Sequence, residues 1–319
     1  MSNTLRITKC YPNDLDCKQW ADITNPYFYM ALIAWQDDEV VAALSIYQND
    51  CIQHQGEKTW LLGNIHCPDD DTLFSALLTE MQTIACSQNI KHLIGPIDGS
   101  TWHQYRYSIH TAHETFSGDI AQPLYLPELF QRNGFEILHR YYSSLSEARS
   151  FSIDETALHQ AGVTIRQIDK DNFQADLQLL YPLCNAAFAH NELFSPIDEI
   201  SFVARYMTYK HLLDPRYALL ATDAQGAVAL FFCYPGLAQG QPAVIIKTIA
   251  RHPARRYKGL VDTMTRIIYN NAHQQGIPYI IHAFMHQANR SLLRSGRYNS
   301  QHINEYAVYI KTFSHAAEQ

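Results

Sequence analysis

Three cations, Arg255, Arg256 and Lys258, stand just before Gly259, and an apolar helical pattern opens directly after it. Leu260, Met264, Ile267 and Ile268 recur on one helical face, and Gly276 followed by Pro278 ends the helix. A helix that starts at a glycine turn presents unpaired N–H groups and the positive end of its dipole. Cations added there make a site for anions, most naturally phosphates. The turn has neither the Gly-Lys-Ser/Thr of a P-loop nor the repeated glycines of a dinucleotide fingerprint. Without a ligand, the same residues read as a solvated basic turn in a strand-helix-strand unit.

Other residues carry different chemistry. His282 and His286 lie four apart in a β-rich run and would share one face of an extended strand. A metal would need a third ligand, and no His-Glu-x-x-His is present, so no metal is expected. With an unperturbed pKa of about 6.5, His282 is a candidate proton acceptor from an amine, or else a packed histidine. Glu305 and Lys247 are charged residues in otherwise apolar strands and are candidates for a cleft, or else face solvent. A third group, Asp98, Trp102 and Arg106, lies in the glycine-bounded stretch Gly95–Arg106 that follows a strand. Such a loop suits ligand contact, or a tight turn with Trp102 packed as core.

The elements that must position these groups follow from periodicity. Val244–Ala250 reads as a strand ended by Pro253, and Tyr279–Phe284 as the strand after the helix. Before them come strand Thr164–Ile168, helices over Phe173–Ala189 and Ile197–Lys210, and strands Tyr217–Thr222 and Ala227–Tyr234; strand Ile303–Lys311 closes the chain. The first half repeats this order. Strands Thr4–Thr8, Met30–Trp35, Val40–Tyr47 and Trp60–His66 precede a helix with Leu73, Phe74, Leu77, Leu78, Met81, Ile84 and Ala85 on its apolar face. Strand His92–Ile94 follows. Cys67-Pro68 lines up with His252-Pro253, and Tyr142–Leu145 with Tyr306–Tyr309, which indicates an internal repeat. The boundary falls in the polar segment Ser146–Asp154, giving halves 1–148 and 149–319. Where the second half has its basic turn, the first has Asp69, Asp70 and Asp71. These charges suit a helix N-terminus but repel a pyrophosphate.

The segment Arg256-Tyr257-Lys258-Gly259-Leu260-Val261, between a strand and a helix, resembles the pyrophosphate loop of the GNAT superfamily of acyl-CoA N-acyltransferases. It keeps that loop's Arg and first Gly and departs at Val261, where a small residue is usual. The resemblance implies an α/β fold of two lobes, each a mixed, mostly antiparallel sheet flanked by helices. It implies a degenerate first lobe and a second lobe that binds acetyl-CoA or another acyl-CoA through Thr248, Ile249, Ala250, Arg255, Arg256, Tyr257, Lys258, Gly259 and Leu260, with Asn289 at a following helix start. A backbone N–H of the strand Val244–Ala250 would support the oxyanion. Phe188, Asn191 and Phe194 would border the acceptor pocket, as ordinary loop packing would also allow. The tyrosine that usually protonates the departing thiolate is replaced by Arg294, Ser295 and Gly296; Ser295 and Tyr298 are the remaining candidates. The implied reaction is acyl transfer, with acetyl expected, to an amine of a small molecule or peptide by direct attack in a ternary complex. A catalytically silent acyl-CoA sensor or scaffold and an aminoacyl-tRNA-dependent transferase stay open as alternatives.

Bulk properties narrow the partners. A chain of 319 residues with 47% hydrophobic content suits two packed lobes. A net charge of −7 argues against general nucleic-acid binding. Seven cysteines, an odd number without a CxxC pair, argue against a disulfide framework or a zinc site. Met1–Trp20 has no signal-peptide apolar core and no run is long enough to span a membrane, so a cytoplasmic monomer or homodimer is expected.

Overall fold

The computed structural model describes residues 4–14, 18–111, 115–156, 159 and 162–313, with the backbone alone at 110, 111 and 255. The first half folds as β1 (Arg6–Cys10), β2 (Phe28–Gln36), β3 (Glu39–His54), β4 (Glu57–His66), α1 (Asp71–Ser87), β5 (His92–Gly95), β6 (Tyr107–Thr111), α2 (Leu126–Arg132) and β7 (Glu136–Glu147). The second half folds as β8 (Thr164–Gln167), α3 (Phe173–Phe188), α4 (Glu199–Met207), β9 (Ala218–Asp223), β10 (Gly226–Ala238), β11 (Gln241–Arg251), α5 (Leu260–Gln274), β12 (Tyr279–His286), α6 (Arg290–Gly296) and β13 (Gln301–Thr312).

Local chemistry explains the main elements. Asp37 and Asp38, at φ 50° and 65°, close the β2–β3 hairpin between Gln36 and Glu39, as a tight two-residue turn requires. The Asp70 carboxylate accepts the N–H groups of Thr72 and Leu73 at 2.8 and 3.1 Å and so caps α1, a contact worth about 1 kcal/mol. Phe74, Leu77, Leu78, Met81 and Ala85 form the buried stripe of that helix. β3 and β4 run further than the apolar pattern indicates, to a hairpin tip at His54 and Glu57. Their extension is polar and irregularly paired, so alternation could not reveal it.

All the strands join one thirteen-stranded sheet in the order β1-β2-β3-β4-β5-β13-β7-β12-β11-β10-β9-β8, with β6 also on β13. The two similar strands change places: β13, the last of the chain, pairs with β5, while β7 from the first half pairs with β12. They also pair with each other, Tyr306 opposite Tyr141. Each half thus closes the other's sheet edge, as in an exchange of like elements between protomers. Both parallel pairs stop short. β4 and β5 pair only from Thr59↔His92 to Leu61↔Ile94, and β11 and β12 only from Ala243↔Tyr279 to Ile246↔His282. Beyond these points β4 and β11 continue without that partner. Among the described residues no helix is long and apolar enough to cross a membrane.

Candidate functional site

The open edge of β11 and the start of α5 form one corner of the second half. Opposite the β10 register shift at Phe232/Cys233, Lys247 is the unpaired extra residue of a β-bulge, and Thr248, Ile249 and Ala250 follow it. On the side facing β12, their backbone has no strand partner. Gly259 precedes α5 at φ 92°, a left-handed conformation, and no side chain caps the helix. A Cβ built on Gly259 would meet nothing within 4 Å, so the corner is open to an approaching ligand. Lys258 is exposed and makes no ion pair among the described residues. Arg256 reaches back to Asp223 at 3.1 Å and Gln225 at 2.9 Å. Tyr257 is buried with its hydroxyl on Asp223, and Leu260 is buried in the core under α5. The backbone of Arg255 lies in the turn before α5; its side chain lies outside the described residues. Arg251, Arg290 and Arg294 also gather here: the charges of Arg290 and Arg294, after burial itself, hold the Arg251 pKa down. This grouping joins a strand end to a later helix and was invisible in the sequence.

The corresponding corner of the first half is filled by its own carboxylates. Asp70 occupies the α1 N-terminus, while Arg132 of α2 binds Asp69 at 2.5 Å and Asp71 at 3.0 Å. Asn64, which corresponds to Ile249 through the paired Cys-Pro and His-Pro positions, donates its N–H to the Asp98 carboxylate at 2.9 Å. Gly63 makes this possible, because a Cβ there would stand 2.0 Å from Asp98 Oδ1. Burial raises the Asp98 pKa to about 6 against the opposing Asn64 hydrogen bond, with the charge of Asp22 adding to the rise. Asp98, expected near an acceptor, therefore faces inward to β4.

The rest of the Gly95–Arg106 loop reaches the second half. Trp102 Nε1 donates to the Ser195 carbonyl at 2.9 Å, and its ring lies edge-on to Phe188, Phe194 and Phe202 at 6.4, 6.1 and 6.0 Å. Of the residues expected to bind substrate, Trp102, Phe188 and Phe194 are brought together. Asn191 is an exposed turn residue between the two phenylalanines. Arg106 is 8% exposed, its guanidinium between the rings of Tyr105, Tyr141 and Phe284 at 4.1, 4.8 and 4.2 Å. Tyr206 of α4 touches Thr248 Oγ1 at 3.3 Å and so ties this aromatic wall to β11. Phe202 and Tyr206 were not foreseen, because helical spacing alone reads them as core.

The histidines separate. A bulge between His282 and Met285, with Phe284 at φ 55°, breaks the alternation of β12. One extra residue moves every later side chain to the other face, so the two histidines do not share one, contrary to the expectation for an extended strand. His282 turns toward α5, with Nε2 2.8 Å from the Tyr269 hydroxyl, and burial lowers its pKa to about 4. His286 turns toward Tyr141 and His139. His139 Nε2 lies 2.8 Å from Glu192, and with His286 these three place ligand-type atoms within 4.8 Å. The Ala288 N–H donates to His286 Nδ1 at 3.2 Å, which leaves the ring proton on Nε2 and that atom a donor in the neutral ring.

The remaining candidates are engaged in contacts of their own. Ser295 is buried with its hydroxyl 2.6 Å from Ser300, and Tyr298 is stacked on Tyr269 at 4.7 Å. Glu305 is paired with Arg140. Asn289 caps α6 by accepting the Ser291 N–H at 3.1 Å.

No protein-family model matches the chain. Nor does any curated protein. Solved structures do. A GCN5-related N-acetyltransferase from Anabaena variabilis is similar over 96% of this chain and 72% of its own, at TM-score 0.57 and 11% identity. A tandem GNAT protein from the clavulanic acid biosynthesis pathway is similar over 98% of this chain and 100% of its own, at TM-score 0.51 and 10% identity. A GCN5-related N-acetyltransferase from Sphaerobacter thermophilus is similar over 91% and 82%, at TM-score 0.50 and 12% identity.

Proposed function

From the tandem-lobed fold that this chain shares with GNAT N-acetyltransferases, we propose that it is an acyl-CoA-dependent N-acyltransferase whose second half binds the acyl-CoA. One contrast carries the reading. The second half leaves the α5 N-terminus and the β11 edge open, while the first half fills both equivalent places with Asp70 and Asp98.

Each group has a definite task in this reading. Uncapped N–H groups of α5, the exposed Lys258 and the neighbouring Arg251 and Arg290 hold the pyrophosphate end. Arg256, committed to Asp223, shapes the turn. The acyl-CoA supplies an activated thioester. A backbone N–H on the free edge of β11 beyond Ile246 accommodates the developing negative charge on its carbonyl oxygen. The neutral acceptor amine forms the new C–N bond as the thioester C–S bond breaks; the amine loses a proton and the sulfur takes one up. Trp102, Phe188 and Phe194 wall the acceptor side and keep water out. His282 is given no part in the step, because it is buried with its Nε2 engaged by the Tyr269 hydroxyl under α5.

A second reading, an acyl-CoA sensor without turnover, is favoured by one observation: Tyr298 and Ser295 are buried and engaged elsewhere. Release of free thiol from acetyl-CoA with a panel of amines separates the two. Gly259→Glu tests the site itself. At φ 92° any side chain is strained, at a cost of about 1 kcal/mol, so Gly259→Ala is the matched control. Both variants should fold by circular dichroism, and by calorimetry only Gly259→Glu should lose CoA binding. A folded Gly259→Glu protein with parental affinity refutes the assignment.

A further inference from the structure

Two cations around the acceptor side, Arg205 and Lys247, have no carboxylate partner among the described residues. Arg205 of α4 is partly buried between Phe202 and Tyr206 in sequence, and its side chain makes no hydrogen bond or ion pair among the described residues. Its charge reaches His103 of the Gly95–Arg106 loop, and Tyr206 and Tyr209 act on it in turn. Lys247, the bulged residue of β11, holds Nζ 4.9 Å from the Tyr209 ring centroid and has no ion pair among the described residues. Arg106 stands on a different group of rings, hydrogen-bonded to the Tyr105 hydroxyl at 2.5 Å and with the Asp119 carboxylate within reach of its charge.

Arg205 and Lys247 come from two elements and share the Tyr209 ring as a neighbour. The rings continue from there: Tyr209 lies beside Tyr206, Tyr206 beside Phe202, and Phe202 against Trp102, while Tyr206 touches Thr248. The acids whose charge reaches this region are otherwise engaged. Asp22 accepts from the Thr24 backbone and hydroxyl, and Asp119 accepts from Tyr306, Asn304 and the Ile120 N–H. In a chain of net charge −7, cations are outnumbered, and leaving a partly buried guanidinium unpaired costs free energy unless a ligand supplies the anion.

We propose that the acceptor is an amine that also carries a carboxylate, an amino-acid-like small molecule, held by Arg205 and Lys247. The inference rests on the acyltransferase reading, which supplies the reason for an amine to dock here. The planar fork of Arg205 suits a carboxylate, and Lys247 adds a point charge beside the β11 edge. The aromatic wall then receives the side chain.

The test uses matched pairs of an amino acid and its decarboxylated amine: phenylalanine and phenethylamine, tryptophan and tryptamine, lysine and cadaverine. Each is titrated calorimetrically into the full-length protein with and without CoA. At least one amino acid should bind, at least about tenfold more tightly than its amine. Arg205→Gln should remove that advantage, Arg205→Lys should restore part of it, and CoA affinity should stay unchanged in both. Equal binding of amine and amino acid, no binding of any amino acid, or an unchanged advantage in a folded Arg205→Gln protein overturns the proposal. Loss of the acyltransferase reading shows separately, as absence of CoA binding to the parent protein.

Discussion

Replacing Asp98 by Asn should stabilise the protein at neutral and alkaline pH and leave it unchanged in acid. The carboxylate is buried against β4, where its one favourable contact is the Asn64 N–H at 2.9 Å. Burial lifts its pKa from 3.8 to about 6, so the folded state holds the proton more tightly than the unfolded chain does. The sign follows from linkage. Below about pH 4 both states are protonated; as pH rises, the unfolded chain ionises first and stability falls until about pH 6, then levels. The span is worth about 3 kcal/mol. Asn is neutral throughout, and its amide oxygen can still accept the Asn64 N–H. For a chain of 319 residues, 3 kcal/mol corresponds to a melting-temperature gain of about 4 °C. Calorimetric melting of both proteins from about pH 4 to about pH 8 should show the gain opening with pH and reaching a plateau. A gain that is flat with pH, or a loss at the alkaline end, would refute the picture of a buried carboxylate plugging the first cleft.

Calorimetry should find a single CoA site per chain, weakened several-fold between about 50 mM and about 500 mM salt; two equal sites would contradict the contrast between the halves. Trp102→Phe should cost about 1 kcal/mol in chemical denaturation, through loss of the hydrogen bond to the Ser195 carbonyl. Trp102→Ala should cost about 3 kcal/mol and raise the KM for the amine, with CoA affinity preserved; an unchanged KM would make the residue a packing element alone.

Much of the architecture is legible in residue order because it depends on local rules. Leu260, Met264, Ile267 and Ile268 define α5 by helical periodicity, and Gly259, Gly276 and Pro278 set its limits. The repeat of strand, proline, helix and strand marks both halves, and the acidic and basic turns already distinguish them by charge. Pairing between distant strands is a different matter. Tyr142–Leu145 and Tyr306–Tyr309 look alike, yet nothing local says that β7 and β13 exchange places, since both present similar edges and only the closed sheet selects the partner. His282 and His286 are separated by a bulge that no residue pattern announces. Tertiary structure also decides where polar groups go once buried. Asp98 turns inward because Gly63 leaves room beside the Asn64 N–H. Arg205 and Lys247, far apart along the chain, come to the same Tyr209 ring because α4 packs on β11 beside its bulge. Spacing along a chain fixes which residues share an element; burial and hydrogen bonding across elements fix which of them share a site.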